Sequence, residues 1–338
     1  HVNIRKNKVI AIMLQVFIVI VIFASVAQAK TVTLKVAGIS PIAYRGTQSL
    51  QHIKAKVEKA TDGRVTFKIF PANQLGDGSQ VFTEVKRGTI EMGLIFLPSQ
   101  YDKIFEIGSL PYLADSYKQM EKLLGQGGYV YKLLDNALNK QGIKYLGTYA
   151  DGFCGIGTTK MPNDPANPKT PKGDILCRIA AVSVYKYAAE GLGYKTTTIP
   201  WSDTFSAAQT GVCNAWLGAS PQINYQVMGD VIKCYLPYNV VFDQTGYIIN
   251  QKVWESISKA DQKVIIEAVN AEVKDSFASC EAEDLKYMKM LEEKGVKVVR
   301  FNKKEFDEMV AYVRAYSWPK LEKTFGKEVF DGLREAIK

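Results

Sequence analysis

Three stretches decide the fold class: Thr31-Val-Thr-Leu-Lys-Val-Ala37, Arg64-Val-Thr-Phe-Lys-Ile-Phe-Pro71 and Ile90-Glu-Met-Gly-Leu-Ile-Phe96. In the first, Val32, Leu34 and Val36 alternate with Thr33 and Lys35, the pattern of a strand with one buried face. The second alternates in the same way. The third is short and almost wholly apolar. Between the first two, Leu50, Ile53 and Val57 repeat at helical spacing and predict a helix over 47–61, closed by the Asp62-Gly63 turn. Between the second and third, Leu75-Gly76-Asp77-Gly78 feeds a helix that carries Val81 and Val85 and ends at Gly88. Strand, helix, strand, helix, strand reads as α/β, with helices covering a largely parallel sheet.

Working outward, helices are expected near 116–124 and 129–140, and a strand over 143–149. Residues 160–173 hold four Pro and two Asn, so a surface loop is expected there. A second α/β unit follows, with strands at 175–180, 196–200, 212–217 and 241–250 and helices at 183–191 and 202–210. From Val253 the chain reads as mostly helical. A long amphipathic helix is expected over 262–294, a late strand over 296–301, and a charged helical tail over 304–338 broken at Trp318-Pro319. The expected division is a leader (1–29), a first lobe (30–150), a second lobe (151–250) and a helical segment crossing both (251–338). Two α/β units joined by more than one crossing segment imply a cleft, a favoured place for small ligands. They also imply a hinge, because a ligand touching both lobes favours the closed state.

Composition removes several function classes. The 338 residues are 47% hydrophobic and 23% charged, an ordinary globular balance. The formal charge is +9, but Arg5, Lys6 and Lys8 lie in the first 29 residues without an acid. The remaining 40 basic side chains face 34 acids and are spread along the chain, unlike the clustered surface of a nucleic-acid binder. Those basic residues precede an apolar run from Val9 to Val26 and then Ala27-Gln28-Ala29, a small-x-small pattern. This is the layout of a secretory signal cleaved after Ala29, and it places the mature protein in the periplasm.

Catalytic motifs are missing. The sequence contains no GxSxG, GxxxxGK[ST] or HExxH. Gly152-Phe-Cys-Gly-Ile-Gly157 departs from the dinucleotide fingerprint. With His1 and His52 as the two histidines, a nucleophile–His pair has little to build on. Five cysteines (Cys154, Cys177, Cys213, Cys234, Cys280) form no CxxC pair, so neither a metal centre nor another cofactor is expected. Export permits disulfides. Cys213–Cys234 and Cys154–Cys177 are candidate pairs, and buried free thiols are the alternative.

Binding residues do stand out. Arg178 closes an otherwise apolar strand in Cys177-Arg-Ile-Ala-Ala181. A guanidinium that lines the cleft grips a carboxylate with two parallel hydrogen bonds. Trp201 opens a helix just after a strand, and Trp216 ends the next strand. Strand C-termini face the ligand crevice in open α/β sheets.

Taken together, Pro71-Ala-Asn-Gln-Leu-Gly-Asp-Gly78, Val85-Lys-Arg-Gly88, Glu91-Met-Gly93, Leu110-Pro-Tyr-Leu113, Gly173 to Arg178, Pro200-Trp-Ser-Asp203 and Gly211-Val-Cys-Asn-Ala215 resemble a known family. It is the solute-binding component of tripartite ATP-independent periplasmic (TRAP) transporters, the dicarboxylate-binding (DctP-like) family. The resemblance implies a two-lobe periplasmic binding fold, type II-like, with long bracing C-terminal helices. It implies no enzyme activity, and delivery of an organic acid to the membrane subunits of a permease. It makes Arg178 the carboxylate clamp and stacks Trp201 on the ligand. Trp216 and Asn239 then line the second lobe's side. Phe96, Ser99 and the Tyr44–Arg45 loop face them from the first.

Asn214-Ala215 stands where the family has Asp-Gly, and Asn214 is kept as a site candidate. Gly152-Phe-Cys154 stands where sialic-acid binders carry a second Arg, and no Arg follows through Thr159. With Tyr101, Phe153 and Phe242 added to the aromatic candidates, the expectation is a carboxylate with an apolar or aromatic body rather than a sugar acid. The rival readings are a ligand-responsive periplasmic sensor or interaction protein and an exported acid-dependent hydrolase.

Overall fold

The computed structural model describes residues 31–338. The expected leader and its cleavage after Ala29 lie outside them. Among the described residues no helix is long and apolar enough to cross a membrane.

The first unit is built as its alternation requires. β1 (Val32–Gly38), α1 (Arg45–Ala60), β2 (Val65–Phe70), α2 (Gly78–Arg87) and β3 (Met92–Ile95) follow in order, with β1 parallel to both β2 and β3. Leu34, Val36, Leu50, Ile53, Val57, Val81 and Val85 are buried together. Asp77 starts α2 with a capping box: its side chain accepts from the amides of Ser79 and Gln80 at 2.8 and 2.9 Å, while Gln80 returns a bond to the Asp77 amide at 2.9 Å. Such a cap is worth about 1 kcal/mol. A 3-10 helix (Lys103–Ser109), α3 (Tyr117–Leu124) and α4 (Tyr129–Asn139) complete this half.

Two strands then run through the whole molecule. β4 (Ile143–Thr158) and β8 (Cys234–Asn250) pair antiparallel over most of their length. Between them in sequence come β5 (Leu176–Ile179), α5 (Ser183–Gly191), β6 (Lys195–Thr198), α6 (Trp201–Gln209), β7 (Ala215–Leu217) and α7 (Pro221–Gln226). β5 is parallel to β6 and β7, and β7 joins the far end of β4. The sheet order is β2-β1-β3-β8-β4-β7-β5-β6, with β9 (Lys297–Val298) beside β8. α8 (Gln251–Ser256) leads into α9 (Lys259–Glu293), which packs on α1, β4 and α7 and so braces both halves. α10 (Lys303–Phe325) and α11 (Lys327–Ala336) end the chain. This is the expected α/β, two-lobe architecture.

Several expectations are corrected. The strand read as 143–149 continues to Thr158, and the one read as 241–250 begins at Cys234. Asp151-Gly152 and Pro237 to Asn239 break the alternation locally. The backbone absorbs them as register shifts, with Gly152 at φ 121° and Asn239 at φ 51°. The expected lobe boundaries at 150 and 250 therefore meet strands shared by both halves, and residues 246–249 pair with β3 in the first half. The tail does not break at Trp318-Pro319. α10 runs through Pro319 to Phe325 because Trp318 is pinned, its indole N–H donating to Pro111 O at 2.8 Å and its ring lying against Phe330. All five cysteines are buried free thiols, so neither candidate disulfide forms.

Candidate functional site

Arg178 lies on β5, and its register partner on β7 is Trp216. The side chain is 3% exposed. Nε donates to Ile199 O at 2.7 Å and Nη1 to Leu217 O at 3.1 Å, so the carbonyl just past β6 and the last carbonyl of β7 hold the fork in place. The guanidinium carbon lies 5.4 Å from the centre of the Trp201 ring. Nη2 has no partner among the described residues. Among the described residues no carboxylate oxygen comes within 4.0 Å of the guanidinium nitrogens. Burial pushes the Arg178 pKa down to about 10, opposed by Tyr185, Cys177 and Asp243 nearby. Two neutral carbonyls thus hold a buried cation that keeps further N–H donors.

Strand alternation decides what surrounds it. On β8, Phe242 turns toward α9 and stacks with Phe277, while its neighbour Asp243 turns the other way and accepts from Tyr185 OH. Asp243 is half-buried, between the buried Phe242 and Gln244. The Tyr185 ring lies 6.0 Å from Phe96, which leaves the end of β3 in the first half. On β4, Asp151 accepts from Tyr44 OH at 2.5 Å, and its Oδ2 has no partner. Burial raises the pKa of Asp151 to about 7 and that of Asp243 above the usual carboxylate range. Arg45 ties this floor to the brace, with Nη2 donating to Ala150 O at 2.7 Å and Nη1 to Ser276 O at 3.4 Å.

The two halves also meet directly. Glu106, from the 3-10 helix, accepts from Ser183 Oγ and the Val184 amide at the start of α5. Gln226 Nε2 donates to Ala43 O at 3.4 Å.

Contacts thus link Arg178 to Trp201, Phe96 to Tyr185 and on to Asp243, and Tyr44 to Asp151. The other expected site residues have different surroundings. Trp216 is fully buried in a separate core with Met228, Ile232 and Leu291, and its N–H is spent on Asn224 Oδ1 at 2.8 Å. Asn214 sits at the opposite end of the strands, its amide bonded to Leu176 O at 3.0 Å. Phe153 lies against Phe242 and Tyr117 beneath α9. Asn239 faces a cavity of about 320 Å³ shared with Leu285, Met288, Arg300 and Phe301 on that same side. Tyr101 packs on Phe82 inside the first half. The Ser99 side chain makes no hydrogen bond among the described residues. Tyr185, Asp151 and Asp243 were missed by sequence reasoning. The available signal was a single acid in the middle of each of two long, largely buried strands.

The family match defines the class, an extracellular solute-binding protein. The chain belongs to the DctP family, described as bacterial extracellular solute-binding protein, family 7, whose model matches residues 43–322. It is 25% identical over 266 residues to the C4-dicarboxylate-binding periplasmic protein DctP of Rhodobacter capsulatus, covering 76% of this chain and 74% of that protein. Its fold matches the sugar acid binding protein DctPAm of Advenella mimigardefordensis in complex with galactonate, with a TM-score of 0.82 at 20% identity, over 91% of this chain and 98% of that one. It also matches a TRAP periplasmic solute binding protein of Shewanella oneidensis with bound succinate, with a TM-score of 0.80 at 20% identity, over 91% and 100% of the two chains.

Proposed function

We propose that this chain captures an organic acid in the periplasm and hands it to the membrane subunits of a TRAP-type permease. Arg178 grips the carboxylate, Trp201 backs the grip, and Phe96 and Tyr185 enclose an apolar or aromatic body. The observation that carries this reading is Arg178 itself. It is buried, oriented by two backbone carbonyls, and without a carboxylate partner within 4.0 Å among the described residues. An ion taken out of water without a counter-ion is costly, and a ligand carboxylate removes that cost while drawing the halves together. Hydrogen bonds to charged groups contribute about 1.5–3 kcal/mol each. Two of them supply about half of a micromolar affinity near −8 kcal/mol. The acid-bound relatives support the same ligand class.

The test is a melting-temperature screen against carboxylates, since a ligand that binds only the folded state stabilises it by mass action. At least one should raise the melting point of the parent, and Arg178→Ala should abolish that rise. A variant that responds as the parent does removes Arg178 from the site.

A further inference from the structure

α9 lines a two-chambered cavity that includes none of Arg178, Trp201, Tyr185 and Phe96. The inner chamber, of about 110 Å³, has room for several water molecules. Asn239, Leu285 and Met288 line it and also line the outer chamber of about 320 Å³, so the two are continuous. The inner walls come from both halves: Tyr117 starts α3 and Pro221 starts α7. We propose that this cavity is a second binding site, which takes the ammonium head of a primary alkylamine in the inner chamber and its carbon stem in the outer one.

Charge selects the head. Two lining side chains of the inner chamber are acids, Asp284 and Glu281, three residues apart on one face of α9, and none is a base. Asp284 is 3% exposed, and its Oδ2 accepts from Tyr117 OH at 2.7 Å. A carboxylate has further acceptor positions beyond that one. Glu281 is exposed and makes no ion pair among the described residues. Arg45, which also reaches α9, directs its donors to Ala150 O, Asp151 O and Ser276 O and makes no ion pair with Asp284 within 4.0 Å. The rings of Tyr117 and Phe153, edge to face with centroids 4.9 Å apart, form the adjoining wall, and a ring face attracts a cation. Asn239, held at φ 51°, makes no side-chain hydrogen bond among the described residues and offers one more acceptor. The outer chamber has the opposite character. Lys289 and Arg300 line it, with Arg300 paired to Glu292 at 2.8 Å, so an ammonium is better placed in the inner one. Leu285, 59% exposed, and Met288 run between the two, and a carbon stem laid on them removes apolar surface from water.

The experiment is calorimetry on the intact protein at about pH 8, above the value of about 7 to which burial raises Asp284. The probes are methylamine, n-butylamine and n-hexylamine, each compared with the alcohol of the same chain length. The amines should bind at one site, at least about 10-fold tighter than the matched alcohols, the size of one hydrogen bond to a charged group. Affinity should climb by up to about 4-fold per methylene as the stem covers Leu285 and Met288. Asp284→Asn should weaken the amines about 10-fold or more, because the charge is lost. Glu281→Gln and Leu285→Lys, at exposed positions, should weaken them about 3-fold, and they carry the test where Asp284→Asn folds poorly. Amines that do not bind, alcohols that bind as tightly, or variants that bind amines as the parent does overturn the proposal. None of these results bears on the reading of Arg178.

Discussion

The carboxylate of Glu106, in the first half, accepts the Ser183 hydroxyl at 2.6 Å and the Val184 amide at 3.1 Å, in the second. It therefore caps α5, the helix that carries Tyr185. The residue at the cap position, Val182, has no side chain able to do so. The acid is buried, at 5% exposure. One half supplies what the other half's helix lacks, and the bond is made only while the two are together.

Opening the molecule breaks that bond, so Glu106 should slow release. Glu106→Ala removes hydrogen bonds to a charged group, about 1.5–3 kcal/mol each. Ligand dissociation followed by stopped-flow fluorescence should quicken about 10-fold or more, with association changed far less. Glu106→Gln should fall between. An unchanged dissociation rate would mean that the halves part without straining this contact.

The proposed grip of Arg178 is geometric as well as electrostatic. Arg178→Lys keeps the charge but loses the fork fixed by Ile199 O and Leu217 O, together with the stacking on Trp201. Affinity for any carboxylate that binds the parent should drop about 10- to 100-fold, corresponding to one or two charge-assisted bonds. Calorimetry on the two proteins measures this, and equal affinities would reduce Arg178 to a point charge.

Acids buried at the hinge set a pH dependence. Asp284, on α9, accepts from Tyr117 OH at 2.7 Å. Burial raises its pKa from 3.8 to about 7, against the opposing pull of Tyr117 and Arg45 and with Asp151 adding to the rise. Asp151 is raised from 3.8 to about 7 in the same way. Between those values the folded chain holds protons that the unfolded chain has released. Their stabilisation is fully present below pH 3.8 and is lost as pH rises through about 7. The melting temperature should therefore fall as pH is raised from about 5 to about 8. Asp284→Asn, which keeps an acceptor for Tyr117 and cannot ionise, should flatten the fall. A parent melting point that climbs over this range contradicts the account.

Gly152 marks where the hinge strand tolerates no side chain. Its φ is 121°, and a Cβ there would lie 2.6 Å from Asp284 Oδ2. Gly152→Ala should destabilise by about 1–3 kcal/mol from backbone strain alone, with the clash adding to it. Urea denaturation reads this as a lower midpoint at unchanged slope. A loss below about 0.5 kcal/mol, the scale of an ordinary surface substitution, would mean that β4 can shift locally.

Local pattern made much of this legible. The spacing of Leu50, Ile53 and Val57, the alternation of Val32, Leu34 and Val36, and the punctuation at Gly88 mark elements that depend on neighbours a few residues away. Arg178 was legible too, as a lone charge in an apolar strand. Trp216 and Phe242 were misplaced because an aromatic residue beside a cleft and one in a core have the same local signature. Which face of the strand points where is settled by the sheet's packing partners, here Met228 and Leu291 for Trp216 and Phe277 for Phe242.

The order of strands and helices, the export leader as an expectation, and the presence of one arginine in the short apolar strand β5 follow from residue type and short-range periodicity, because those forces act within a few residues. Tertiary structure alone decided that β4 and β8 pass through both halves, that Glu106 caps a helix it is remote from in sequence, and that Asp243 receives the hydroxyl of Tyr185. Burial and pairing across the sheet set these relationships, and no stretch of the chain contains both partners.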